Sequence, residues 1–242
     1  MNSENNFKVL LIVFAVFSLV GSYYIGYMSA RLGISVPFIP NTASLGNIAP
    51  QQPQPEMKLI EETSPIKLNG DEIFIGNANS KMVLVTYTDF ECPFCARFHP
   101  GLSELQKSTD SKLVFKHFPL GFHANAKPFA NIFECIAKNS SSNNAAQFAD
   151  DLFAENMKLQ GQINIEIGKK LASKFISNDT INACSTDSTL NNKIDSHYND
   201  GLEAGIQGTP ALYIINSDSG KAVRINGALD KATLQTEFDK IK

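Results

Sequence analysis

The chain has 242 residues, 43% of them apolar and 19% charged, with a formal net charge of -3. That length supplies one sizeable core or two small ones, and the apolar share excludes disorder throughout. The slight acidic excess argues against a nucleic-acid partner, and four cysteines are too few for a disulfide-dense miniature scaffold.

Between Lys8 and Arg31 lie 22 residues without a charge. As a helix they would extend about 33 Å, enough to cross the hydrocarbon core of a bilayer. Tyr23, Tyr24 and Tyr27 fall toward one end, where aromatic rings favour the membrane interface. A cleaved signal peptide is the alternative, but Met28-Ser29-Ala30 is a poor small-x-small site. Residues 1–31 are therefore expected to form an N-terminal transmembrane anchor. Residues 32–65 carry Pro37, Pro40, Pro50, Pro53 and Pro55 among glutamines and read as an extended tether. Met57–Ile60 is the one piece of it with the makings of a short strand.

Residues 66–242 read as β, then α, then β. A short apolar element at Glu72–Ile75 ends at Gly76, and Lys81–Thr88 is a buried strand by its β-branched, apolar run. A helix is predicted from Pro93, a residue favoured at the first helical position. Phe98, Leu102 and Leu105 give it an apolar face, and Pro100 predicts a kink. Lys112–Phe118 is a second strand, parallel to the first if the helix between them is a crossover. Four helices are then predicted, around Phe129–Ile136, Phe148–Leu152, Ile167–Phe175 and Leu190–Tyr198, from apolar spacing. Ala211–Ile215 and Ala222–Ile225 flank a polar turn and suit a hairpin. Asp230 is a candidate cap for a last helix carrying Leu234, Phe238 and Ile241.

The motif with chemistry is Cys92-Pro93-Phe94-Cys95. It follows a strand and opens a helix, so the helix's unpaired N–H groups face Cys92 and favour its thiolate. Cys95, one turn on, would be more buried and within bonding reach. That is the arrangement of reversible thiol–disulfide exchange. Half a zinc site remains open, because His99 completes a C-x-x-C-x-x-x-H spacing; so does an inert disulfide. Covalent haem attachment needs a histidine where Ala96 stands. His117, His123 and His197 read as ordinary core or surface histidines. Asp89 and Glu91 lie near the cysteines, either as candidates for handling a proton there or simply as solvated acids.

The stretch Asp89–Phe98 resembles the active site of the DsbA-like thiol–disulfide oxidoreductases of the thioredoxin superfamily. Pro100, the run Lys116–Leu120 and Gly208-Thr209-Pro210-Ala211 add to the resemblance, which covers about residues 66–242. It implies an α/β thioredoxin fold with a helical insertion at about 120–207. It implies Cys92 and Cys95 as the catalytic pair, with no metal and no cofactor. It also implies that Pro210 is cis and lies against the pair, with Phe94, Thr209 and Pro210 contacting substrate. A structural disulfide between Cys135 and Cys184 belongs to the same implication, against two buried thiols as the alternative. One departure stands out: the family's buried acid six residues before the first cysteine is Thr86 here. Phe94 in the central dipeptide neither donates a hydrogen bond nor carries charge, which predicts a Cys92 less acidic than in a Pro-His enzyme.

The expected activity is disulfide formation in exported, cysteine-containing proteins, with reoxidation by a membrane redox partner. The chain would be a single-pass inner-membrane protein with its catalytic domain in the periplasm, where disulfides persist. A reductase or isomerase of the same fold is the near alternative. A non-catalytic binding or metal-delivery module is the distant one.

Overall fold

The computed structural model describes residues 56–60 and 66–242. The expected anchor over 1–31 lies outside the described residues, as does most of 32–65. Among the described residues no helix is long and apolar enough to cross a membrane.

Six strands form one sheet: β1 (Glu56–Ile60), β2 (Ile73–Gly76), β3 (Met82–Thr88), β4 (Lys112–His117), β5 (Ala211–Asn216) and β6 (Ala222–Asn226). Their spatial order is β1-β6-β5-β3-β4-β2. Only β3 and β4 run parallel, in a register that pairs Leu84 with Leu113 and Thr88 with His117. Helix α1 (Pro93–Thr109) makes the connection that a parallel pair requires. β5 and β6 are the hairpin read from the sequence. The Met57–Ile60 segment is a sheet strand paired with β6, so the sheet begins ten residues before 66, inside the stretch read as tether.

Every residue of β3 is buried, because both faces of the sheet are covered. Side chains alternate across a strand. Leu84 joins Leu113, Leu212 and Ile214 on one face, packed against Phe98, Leu102 and Leu105 of α1. Leu234, Phe238 and Ile241 of α7 (Lys231–Ile241) complete that face. Val83, Val85 and Tyr87 point the other way, onto Val114, Phe118 and Tyr213. Asp230 caps α7 by accepting from Thr233 N at 3.0 Å.

Between β4 and β5 come five helices: α2 (Ala126–Asn139), α3 (Ser142–Lys158), α4 (Ile165–Ala172), α5 (Asn178–Ser185) and α6 (Ser188–Glu203). The spacing predicted four. The missed one, α5, has eight residues and buries only Ile181 and Cys184, too short a stripe for a period to show. α4 stops at Ala172 rather than reaching Phe175, and Asn164 caps its start by accepting from Glu166 N and Ile167 N. Helix α1 continues through Pro100 as one element and ends at Asp110, whose φ of 51° is left-handed. In α6, Gly201 leaves no room for a side chain: a Cβ there would lie 2.7 Å from the Phe118 ring.

Candidate active site

Cys92 is the residue that caps α1, with extended backbone (φ -68°, ψ 121°) and Pro93 next. It follows directly from the chain's exit from β3: Cys92 N donates to Asp89 O at 3.1 Å, closing a tight turn over Phe90 and Glu91. The Cys92 side chain makes no capping bond of ordinary geometry, and the helix N–H groups that act on its sulfur are those of Phe94 and Cys95. Cys92 and Cys95 are both free thiols and buried, 3% and 1% exposed.

The two thiols differ in acidity. A hydrogen bond from the Cys95 thiol, with the N–H groups of Cys95 and Phe94 and the Thr209 side chain, holds Cys92 down to about 6 against the cost of burial. Burial pushes Cys95 well above the ordinary thiol range, and the neighbouring Cys92 pushes it further. The outer sulfur is thus a thiolate near neutral pH while the inner one keeps its proton.

The peptide bond between Thr209 and Pro210 is cis. The Cys92 thiol lies 3.7 Å from Thr209 O, in donor geometry. Thr209 lowers the pKa of both thiols, although its buried hydroxyl makes no hydrogen bond of ordinary geometry. Pro210 lacks an N–H, and its carbonyl accepts from Gly227 N at 2.8 Å, fixing the loop to the end of β6. Phe94 is half-buried, with the Arg97 guanidinium 4.6 Å from its ring centroid. Arg97 is therefore an exposed cation stacked on the ring of the motif's Phe94.

His99 turns away from the sulfurs. Its Nε2 lies 2.6 Å from Asp150 of α3 and its ring packs on Phe153, so it is not aimed at the C-x-x-C pair. Cys135 and Cys184 lie elsewhere, in the helical layer, and their sulfurs are bonded at 2.07 Å. Cys184 is in the last turn of α5.

Asp89 differs from its reading as solvated, whereas His117 and His197 are core histidines as expected. The Asp89 side chain is fully buried, since its oxygens accept from Glu91 N and Leu120 N and lie 2.8 Å from His123 Nδ1. His117 is buried with its Nε2 on Glu134 at 2.8 Å and its ring stacked on His197. His117 Nδ1 and His197 Nε2 have no partner. His117, Glu134 and His197 bring ligand-type atoms together, and so do Asp71, Glu72 and His197. Lys193 Nζ already sits 2.9 Å from Glu134, so a cation occupies this place. Burial drives His197 down to about 2, leaving it neutral. Thr86, standing where a buried acid was expected by resemblance, is itself buried and brings no charge to the sulfurs. Asn156 of α3 donates to the carbonyls of Phe90 and Glu91, bracing the turn before Cys92 from the helical layer.

The fold and these elements match known proteins. A curated relative, the Na(+)/H(+) antiporter NhaA 1 of Mycolicibacterium vanbaalenii, is 35% identical over 68 residues. That stretch is 27% of this chain, which spans only 11% of the antiporter's length. Among solved structures, Pseudomonas aeruginosa DsbA2 superposes with a TM-score of 0.58 at 25% identity, covering 72% of this chain and 95% of its own. Wolbachia pipientis α-DsbA1 gives 0.59 at 19%, covering 74% and 96%. A periplasmic thioredoxin-like protein from Salmonella enterica serovar Typhimurium gives 0.53 at 20%, covering 73% and 93%. The structure therefore has the DsbA-like form of the thioredoxin fold. The family model described as Thioredoxin matches residues 68–230, about two thirds of the sequence, and the chain belongs to the thioredoxin family.

Proposed function

We propose that this protein is a thiol–disulfide oxidoreductase that forms disulfides in exported, cysteine-containing proteins through Cys92 and Cys95. The observation that carries the proposal is the split in acidity between a capping thiol lowered to about 6 and a buried one raised well above its ordinary range.

In the oxidised state, a substrate thiolate attacks Cys92 Sγ. The Cys92–Cys95 bond breaks, and Cys95 leaves with the electron pair and takes up a proton, as its high pKa requires. A substrate–Cys92 disulfide has formed. A second substrate thiolate then attacks the substrate's own sulfur in that bond and releases Cys92 as a thiolate. Two electrons pass from the substrate dithiol to the enzyme. The second step is assisted because a thiol of low pKa leaves readily. The helix N–H groups and Thr209 stabilise that thiolate, and so favour the reduced enzyme. The Thr209 main chain at the cis loop is placed to pair with an extended substrate segment, and the half-buried Phe94 ring offers it an apolar contact.

One observation favours a second reading. A Cys92 pKa of about 6 lies between the values near 3.5 for DsbA and near 7 for thioredoxin. Reduction or isomerisation, with Cys92 attacking a client disulfide and Cys95 resolving it, fits that middle position. The uncharged stretch between Lys8 and Arg31 is proposed as the anchor, and residues 32–55 as the tether, of a domain facing the periplasm. There a membrane redox partner would reoxidise the pair.

The test is the equilibrium of Cys92–Cys95 with glutathione, alongside oxidation of a reduced two-cysteine peptide. A potential toward about -120 mV, with peptide oxidation lost in Cys92→Ser, supports the oxidase; one toward about -270 mV supports the reductase. Unchanged peptide oxidation in a folded Cys92→Ser protein contradicts both.

A further inference from the structure

The turn between β3 and α1 is held from two neighbouring segments, and Asp89 is its hub. Its Oδ1 accepts from Glu91 N at 2.8 Å, inside the turn. Its Oδ2 accepts from Leu120 N at 2.8 Å and lies 2.8 Å from His123 Nδ1, both on the loop that follows β4. Its carbonyl takes Cys92 N, and its main-chain N–H faces the Cys95 sulfur. One residue thus touches the loop with its side chain and both cysteines with its backbone. Glu91 adds a second grip, accepting from Asn125 N at 2.6 Å and Asn125 Nδ2 at 3.0 Å. The loop between these grips carries Phe122, 80% exposed, with its ring edge-on to His123 at 4.5 Å.

We propose that Asp89 is a positioning residue for the dithiol: its carboxylate clamps the 119–125 loop to the turn, and this clamp aims the surrounding N–H groups at the two sulfurs. His123 is the loop's half of the clamp, so the loop's seating sets how stable the Cys92 thiolate is. This rests on Cys92 being the reactive thiol. The proposal differs in sign from a simple charge effect. Removing a negative charge near a thiolate lowers the thiol's pKa. Losing aimed N–H donors raises it.

Asp89→Asn separates the two. Glu91 N and Leu120 N are fixed donors on opposite oxygens, so an amide turned either way meets one of them with its own N–H. The test is the pH dependence of Cys92 alkylation by iodoacetamide in the reduced full-length protein, paired with the glutathione equilibrium. Asp89→Asn is expected to raise the Cys92 midpoint by about one unit, which is a tenfold loss of thiolate below the midpoint. The glutathione equilibrium should shift toward the disulfide in the same direction. His123→Ala keeps the Asp89 charge and should shift the midpoint the same way by about threefold in thiolate. His123→Asn should restore it, since the asparagine amide nitrogen is attached to Cγ as Nδ1 is. An unchanged or lowered midpoint in Asp89→Asn overturns the proposal. If Asp89→Asn does not fold, the two His123 variants decide: no shift in His123→Ala, or no recovery in His123→Asn, overturns it. Alkylation needs no exchange activity, so the failures are distinguishable. A wild-type midpoint at the ordinary thiol value removes both the functional reading and this proposal. A depressed wild-type midpoint that the variants leave alone removes only this proposal.

Discussion

Two pairs of cysteines share this chain and meet opposite surroundings. Cys92 and Cys95 are two residues apart in the motif at the mouth of α1, where helix N–H groups have no carbonyl to bond. Cys135 and Cys184 are separated by 49 in sequence, one inside α2 and one in the last turn of α5. At Cys135 the helix N–H groups are already used by the preceding turn, and the Asn139 side chain is what reaches the sulfurs, at 3.6 and 3.5 Å. The first pair is gathered where thiolate is favoured, and the second where a covalent link joins two helices under the sheet. Position along a helix, not the amount of burial, separates the two chemistries, for all four cysteines are buried.

The comparison breaks most sharply if the pairs exchange roles. Cys92→Ser should abolish peptide oxidation, whereas Cys135→Ala with Cys184→Ala should retain it; the same peptide assay reads both. The double alanine variant should instead lose stability. Closing a loop of this length is worth about 4 kcal/mol in the chain-entropy account, to be read as a lower denaturant midpoint with a steeper slope, because the unfolded chain loses its cross-link. A smaller effect is expected from pH. Cys92 falls from 9.0 to about 6 on folding, so its thiolate stabilises the reduced fold fully above pH 9. That contribution fades as the pH drops toward 6 and is gone below it. Cys95, raised above 9.0, stays neutral throughout this range and adds nothing. The reduced protein's stability relative to the oxidised one should therefore gain about 1 kcal/mol between pH 5 and pH 7, measured by denaturant titration of both forms. The smallest effect is that of Thr209→Val. Losing one hydroxyl donor should raise the Cys92 midpoint by about half a unit and leave the melting of the Cys135–Cys184 layer alone.

The strands were legible because their burial on both faces writes continuous β-branched runs into the sequence, as in Met82–Thr88. The capping position of Cys92 was legible from Pro93 alone. What stayed hidden depends on partners far along the chain. Asp89 looked solvated because its acceptors' donors, Leu120 and His123, are 31 and 34 residues away. Lys116 is fully buried against Asp200 at 2.7 Å, a partner 84 residues on. Asn156 braces the turn before Cys92 from across the molecule with no local signature. Helix α5 is rich in Asn, Asp, Ser and Thr, which favour caps and turns, and its packing on α2 overrides that preference.

The central claim is that the two thiols of one motif have different acidities. Ultraviolet titration of thiolate in the reduced protein reads it directly. The account predicts one thiolate appearing near pH 6 in the wild type, assigned to Cys92 by its loss in Cys92→Ser, with Cys95 still protonated at pH 9. Two thiols titrating together at the ordinary value would contradict it.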